Sequence, residues 1–136
     1  MKDYKPYSNY TNEELQDLLR LHTKKLGMPR WVNELAELAF KDNWNPQTDF
    51  DGCSVVQDRT HPDIACFIHD WLYVCGYNIP FANKLFKELM LLSGYSKWLA
   101  WTRYIAVVIA GNIRFKWLNR KVGNYTMEEI KDIHNP

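Results

Sequence analysis

The chain is punctuated as a series of helices, and that punctuation limits the folds open to it. Thr11 stands three residues ahead of Glu14, before the apolar-periodic run LQDLLRLHTKKL, which Gly27 and Pro29 stop. A hydroxyl at the N-cap accepts from the backbone of the first turn while the glutamate reaches back, and a glycine past the last turn takes the left-handed conformation that other residues resist. The same grammar recurs along the chain. PRWVNELAELAF, from Pro29 to about Phe40, reads as a second helix with Trp31, Leu35 and Leu38 on one face. Thr60 is the expected cap of HPDIACFIHDWLYVC, which ends at Gly76 and is apolar nearly all round, so it should run through the centre of the fold. FANKLFKELMLLS is closed by Gly94, and Ser96 caps KWLAWTRYIAVVIAGNIRFKWLNRK, which Gly123 ends. Thr126 and Glu129 form a second capping box for a short terminal helix. The prediction is a mainly α fold, one compact domain of five to six helices over residues 11–136, with an N-terminal arm over 1–10.

Between the second and third helices lies KDNWNPQTDFDGCSVVQDR, from Lys41 to Arg59. Irregular segments of that length in a small domain usually carry function or are disordered. DGCSVVQD is the one stretch where a small β ribbon could form.

Composition narrows the classes further. A chain of 136 residues fits one domain, and 17 basic against 16 acidic residues give a net charge of +1. Phosphate contacts need a basic excess, so a general nucleic-acid binder is not expected. The N-terminal MKDYKPYSNYTNEELQ has no apolar core of a secretory signal, which predicts synthesis in the cytoplasm. The most apolar run, Tyr104 to Gly111, is far too short to span a bilayer. Cys53, Cys66 and Cys75 show no metal-ligand spacing and no pairable framework, and they read as reduced, small core residues.

One constellation carries chemistry. Cys66, His69, Asp70 and Tyr73 share an edge of the third helix, and an ionised Asp in so apolar a helix is costly unless paired or bound to a metal. The plain alternative is an Asp satisfied by a neighbouring cation, with His69 as a hydrogen-bonder of the core. If the third and fourth helices run antiparallel about a turn near Asn78, Tyr73 faces Asn83 and His69 lies one turn away. Asn83 then either sits in an exposed first turn or orients His69.

These residues carry a resemblance. C-F-I-H-D-W-L-Y resembles the helix motif C-x-x-H-D-x-C-Y of secreted phospholipase A2, with Leu72 at the second cysteine. F-A-N-K-L-F is similar to the A-D-x-x-F segment of viral capsid phospholipase A2 domains. A longer resemblance, over roughly residues 48–115, is to a phage- and prophage-associated family of unknown function patterned T-D-G-A-S-V-P, A-A-x-x-H-D-x-L-Y, A-D-x-x-F and V-x-x-x-G. The matching blocks are Phe50 to Val56, Ala65 to Tyr73, Ala82 to Phe86 and Val107 to Gly111.

The phospholipase resemblance implies that His69 takes a proton from water, that Asp70 holds Ca²⁺ together with the Asp51–Gly52 loop, and that Tyr73 supports the residue orienting His69. Asp51 would add a ligand and Gly52 a backbone carbonyl. The chain departs from the pattern at Asn83, where both families place Asp, and it lacks the glycine-rich calcium loop and disulfide framework of the secreted enzymes.

Twenty aromatics, six of them Trp, raise the question of partners. Trp71, Phe67 and Phe86 are expected in the core around His69. Trp98, Trp101 and Trp117, with Arg114, Lys116, Arg120 and Lys121, suit either contact with a phospholipid membrane surface or plain packing with cations at a helix C-terminus. Tyr4, Tyr7 and Tyr10 mark an arm that could reach a neighbouring subunit. The expected function is that of a phage-type, phospholipase A2-like domain with a degenerate site. It would serve as a non-catalytic virion or assembly component, contacting other virion proteins or copies of itself. The alternative is a calcium-dependent phospholipid esterase, and a remote third is a metal phosphohydrolase using His22 or His61, His69-Asp70 and Asp132.

Overall fold

The capping signals place the helices. In a computed structural model that describes residues 10–46, 63–114 and 121–135, α1 runs Asn12–Lys25 behind Thr11, whose hydroxyl accepts from the Glu14 amide at 3.1 Å while the Glu14 carboxylate accepts from the Thr11 amide at 3.0 Å. Gly27 then turns the chain at φ 64°. Helix α2 is Arg30–Lys41, and its deepest face is Val32, Leu35, Ala36 and Ala39, with Trp31 and Leu38 half-buried at the margins of the stripe rather than at its centre.

Helix α3, Ile64–Val74, is the axle. Ile64, Ala65, Phe67, Ile68, Trp71 and Leu72 are all fully buried, as its all-round apolar sequence requires. Its cap differs from the sequence expectation: the helix starts at Ile64, and Asp63 caps it, accepting from the Ala65 and Cys66 amides at 2.8 and 3.2 Å. A carboxylate serves two first-turn donors and complements the positive end of the helix; the expected cap, Thr60, lies outside the described residues. Gly76, at φ 74°, and the Asn78 cap fold α4, Ile79–Leu92, back along α3. Gly94 leads to α5, Lys97–Arg114, whose first turn is held by the Ser96 hydroxyl. The short α6, Met127–His134, has the second predicted capping box and packs against α2 through the fully buried Ile130. His134 stands edge-on to Trp31 and pairs with Glu88 of α4 at 2.6 Å.

All six described elements are helices, no strand occurs among the described residues, and the fold is mainly α as expected. The expected ribbon over DGCSVVQD, the Tyr4 and Tyr7 arm, and Trp117 lie outside the described residues. No helix among the described residues is long and apolar enough to cross a membrane.

The packing is closed by a buried carboxylate that no sequence pattern announced. Asp42, at the end of α2, accepts from the Trp71 indole nitrogen at 2.8 Å and the Tyr77 hydroxyl at 2.5 Å on one oxygen. On the other it accepts from the backbone of Asn43 at 2.7 Å and of Asn124 at 2.6 Å. Burial works against the charge, but the four donors outweigh it and hold the carboxyl below its ordinary value of 3.8. Burial first, then the Asp42 carboxylate, push the Tyr77 phenol upward. The segment after α5 is strapped down around this centre: Lys121 donates to Val74 at 2.8 Å, Gly123 to Cys75 at 2.9 Å, and Tyr125 to the Tyr77 hydroxyl at 3.1 Å. A side chain at Gly123 would overlap the Tyr77 hydroxyl and ring, so the close approach needs glycine there.

Candidate functional site

His69 and Asn83 come from facing turns of α3 and α4, and both are buried, at 8% and 5% exposure. Nε2 of His69 lies 2.8 Å from Oδ1 of Asn83, and the Tyr73 hydroxyl donates to the same oxygen at 3.1 Å. With one amide oxygen receiving both, Nε2 carries the imidazole proton and Nδ1 is the basic nitrogen of the neutral ring. The ring is held on its faces as well, with the Tyr73 centroid at 4.3 Å and that of Phe86 at 5.0 Å. Asn83 is therefore no exposed first-turn residue. The reason is local: α4 starts at Ile79, two residues before the run read from the sequence, which carries Asn83 past the first turn and onto the face that meets α3.

The three side chains named as a catalytic set, His69, Tyr73 and Asn83, thus stand together. Trp71, Phe67 and Phe86 are buried, as expected, and Phe86 borders the imidazole directly. The amide fixes the ring as a carboxylate would, but it stays neutral. An imidazolium formed on His69 would gain no charge compensation from Asn83.

Of the expected metal set, only Asp70 is among the described residues. Asp70 is half-buried on α3, while Asp51 and Gly52 lie outside the described residues. Among the described residues no group of three or more His, Cys, Asp or Glu side chains converges to hold a metal ion. A calcium ion takes about six to eight oxygen ligands, and Asp70 by itself does not furnish that set. The phosphohydrolase set fares no better in its described part: His22 is half-buried on α1, Asp132 is exposed on α6, and His61 lies outside the described residues.

Two expectations are corrected. Cys66 is disulfide-bonded rather than a reduced core residue, while Cys75 keeps its thiol and points it at the Asn43 carbonyl 3.8 Å away. Pairing depends on spatial approach, to which an odd count and irregular spacing are blind. The plain-packing account of the tryptophans also fails where it can be followed, since Trp98 is 74% exposed and Trp101 48%. Both lie on the outward side of α5, opposite the buried Ala100 and Val107.

Asp42 is the important residue that sequence reasoning missed. Its one signal was an acidic side chain directly after an amphipathic helix, a position at which solvent exposure is the ordinary outcome.

Neither a curated protein nor a solved structure matches the chain. Residues 53–107, less than half of the chain but including His69, Asp70, Tyr73 and Asn83, match the sequence model of a family described as "Protein of unknown function (DUF1353)".

Proposed function

We propose that this chain is a phage-type, phospholipase A2-like helical domain whose His/Asp site has become a structural clasp, and that it acts as a non-catalytic virion or assembly component. The observation that carries the reading is the single amide oxygen of Asn83 serving both His69 and Tyr73. The contact ties α3 to α4 and satisfies buried polar groups, which is what a fold needs. It omits the negative charge that a His-based hydrolase uses to stabilise imidazolium, and a comparable Asp-to-Asn change in serine proteases costs about 10⁴ in rate.

The second reading is a calcium-dependent phospholipid esterase at the host membrane. The same geometry supports it in one respect: Nε2 is engaged, so base chemistry falls to Nδ1, and amide partners do orient catalytic imidazoles in papain-like enzymes. Ca²⁺ would polarise the ester carbonyl and stabilise the oxyanion. Asp70 would be a ligand and His69 would take the proton from water.

Hydrolysis of mixed phospholipid vesicles, with Ca²⁺ or with EDTA, separates the two. The assembly reading expects an inert parent protein and an inert His69→Ala variant, and recovery of the chain within assembled particles. Turnover in the parent that disappears in His69→Ala and in EDTA would establish the esterase. Turnover that arises only in Asn83→Asp would show a decayed enzyme site, in line with the assembly reading.

A further inference from the structure

Helix α5 leaves the body of the protein with one side uncovered. At about 100° per residue, Trp98, Trp101, Ile105 and Ile109 fall within an arc of roughly 80°, and they are 74%, 48%, 38% and 58% exposed. Ala100 and Val107, on the opposite side, are buried where the helix meets α4. The exposed stripe extends along the axis for about 16 Å at 1.5 Å per residue. Isolated exposed apolar residues are ordinary, but a continuous row with two indoles is an interaction surface.

The charge around the row selects the partner. Within Lys97–Arg114 there is no Asp or Glu, against Lys97, Arg103 and Arg114, although the whole chain carries a net charge of only +1. The neighbouring α4 adds Lys87, whose ammonium lies 5.4 Å from the Trp101 ring and 5.1 Å from that of Tyr104. Arg103 lies on the far side of the helix, where it stacks on Tyr95 at 4.6 Å. The acidic side chains of the described helices sit on other elements, on α1, α2 and α6 and at Asp70 of α3, and Glu88 of α4 is taken up by His134. A two-fold contact with a second copy through this face would set cation against cation. A narrow apolar row with indoles at one end, basic side chains beside it and no acid is the pattern of a helix that lies in the plane of an anionic lipid interface.

We propose that the outer face of α5 seats this protein on an anionic lipid surface. Trp98 and Trp101 anchor at the headgroup level, Ile105 and Ile109 enter the acyl boundary, and Lys87 and Lys97 meet the lipid phosphates. The seat is independent of chemistry at His69, and it would give an assembly component a membrane-facing side.

The test is co-sedimentation of the full chain with vesicles of phosphatidylcholine alone and of phosphatidylcholine with phosphatidylglycerol, with tryptophan emission recorded on the same samples. Binding to the mixed vesicles, a blue-shifted emission and release by high salt are expected, with little binding to phosphatidylcholine alone. Trp98→Ser combined with Trp101→Ser should weaken binding by about tenfold or more, and Ile105→Ser with Ile109→Ser should do so separately. These side chains are exposed, and unchanged far-ultraviolet dichroism verifies the fold of each variant; the two pairs serve as substitutes for each other if one misfolds. No binding to the mixed vesicles overturns the proposal, as does binding that both variant pairs retain in full. Self-association or capture of an acidic protein that is lost in these variants, without lipid binding, overturns it as well and assigns the face to that partner.

Discussion

The Trp71 indole and the Asp42 carboxylate, 29 residues apart, meet at 2.8 Å in the interior, so the axial helix is keyed to the end of α2 by a charge. Asp42→Ala leaves the Trp71 nitrogen, the Tyr77 hydroxyl and two backbone amides without this acceptor. Each unsatisfied buried donor costs about 1–3 kcal/mol. A loss of at least about 3 kcal/mol is expected in urea unfolding, with Asp42→Asn retaining part of it because the amide oxygen still accepts.

Acid should act through the same group. The folded carboxyl titrates below 3.8, its ordinary value, so its stabilising contribution is complete above that pH and fades as pH falls through the lower, folded value. Unfolding midpoints measured from neutral pH downward should therefore decline below about pH 4. In Asp42→Asn, that part of the decline should vanish from a lower starting stability.

At Gly123 the expectation is steric. Gly123→Ala drives a methyl group into the Tyr77 hydroxyl and ring, which are themselves fixed by Asp42 and the Tyr125 amide. The strap must shift, at a cost of about 2 kcal/mol or more. Faster hydrogen exchange at the Asn124 and Tyr125 amides would report that displacement, with α1 unaffected.

The His69 clasp predicts a graded series. Asn83→Ala removes the acceptor of both the imidazole and Tyr73, and it should cost about 2 to 4 kcal/mol, counting the cavity. Tyr73→Phe removes one donor and should cost about 0.5–1.5 kcal/mol. The Asn83→Ala loss should be smaller in a Tyr73→Phe background, a coupling that a double-mutant cycle measures directly.

Caps offer a comparison of depth. Asp63 is buried and serves two amides, whereas Thr11 is exposed and serves one. Asp63→Ala should lower stability by about 2 kcal/mol and Thr11→Ala by about 1 or less. Thermal melts of the two variants would rank them.

What could be read in advance was local. The Thr11 and Thr126 boxes, the stops at Gly27, Gly76 and Gly94, and the apolar run of α3 are decided by neighbours within a turn or two. The meeting of His69 with Asn83 was nearly as accessible, because a tight turn fixes how two consecutive helices face one another. The Asp42 centre was not, since its donors come from positions 29, 35 and 82 residues away and follow no period. Exposure of Trp98 and Trp101 was ambiguous for another reason: hydrophobicity states that a side chain can be buried, while tertiary packing decides whether a partner within the chain is there to bury it.

The Asp42 strap also has a consequence for how the molecule comes into being. A ribosome releases Asp42 well before Asn124, 82 residues later, and for that interval the growing chain holds an acid destined for the interior while one of its donors does not yet exist. Helices α1 to α4 can form and collapse as they emerge, but their shared carboxylate stays incompletely solvated by protein until the segment beyond α5 is made. Closing so long a loop adds little entropy over a medium one, since the cost grows only with the logarithm of length. Completion is thus a late event that waits on synthesis of the segment beyond α5, and nascent chains stalled ahead of Gly123 are the natural substrates for chaperones and proteases.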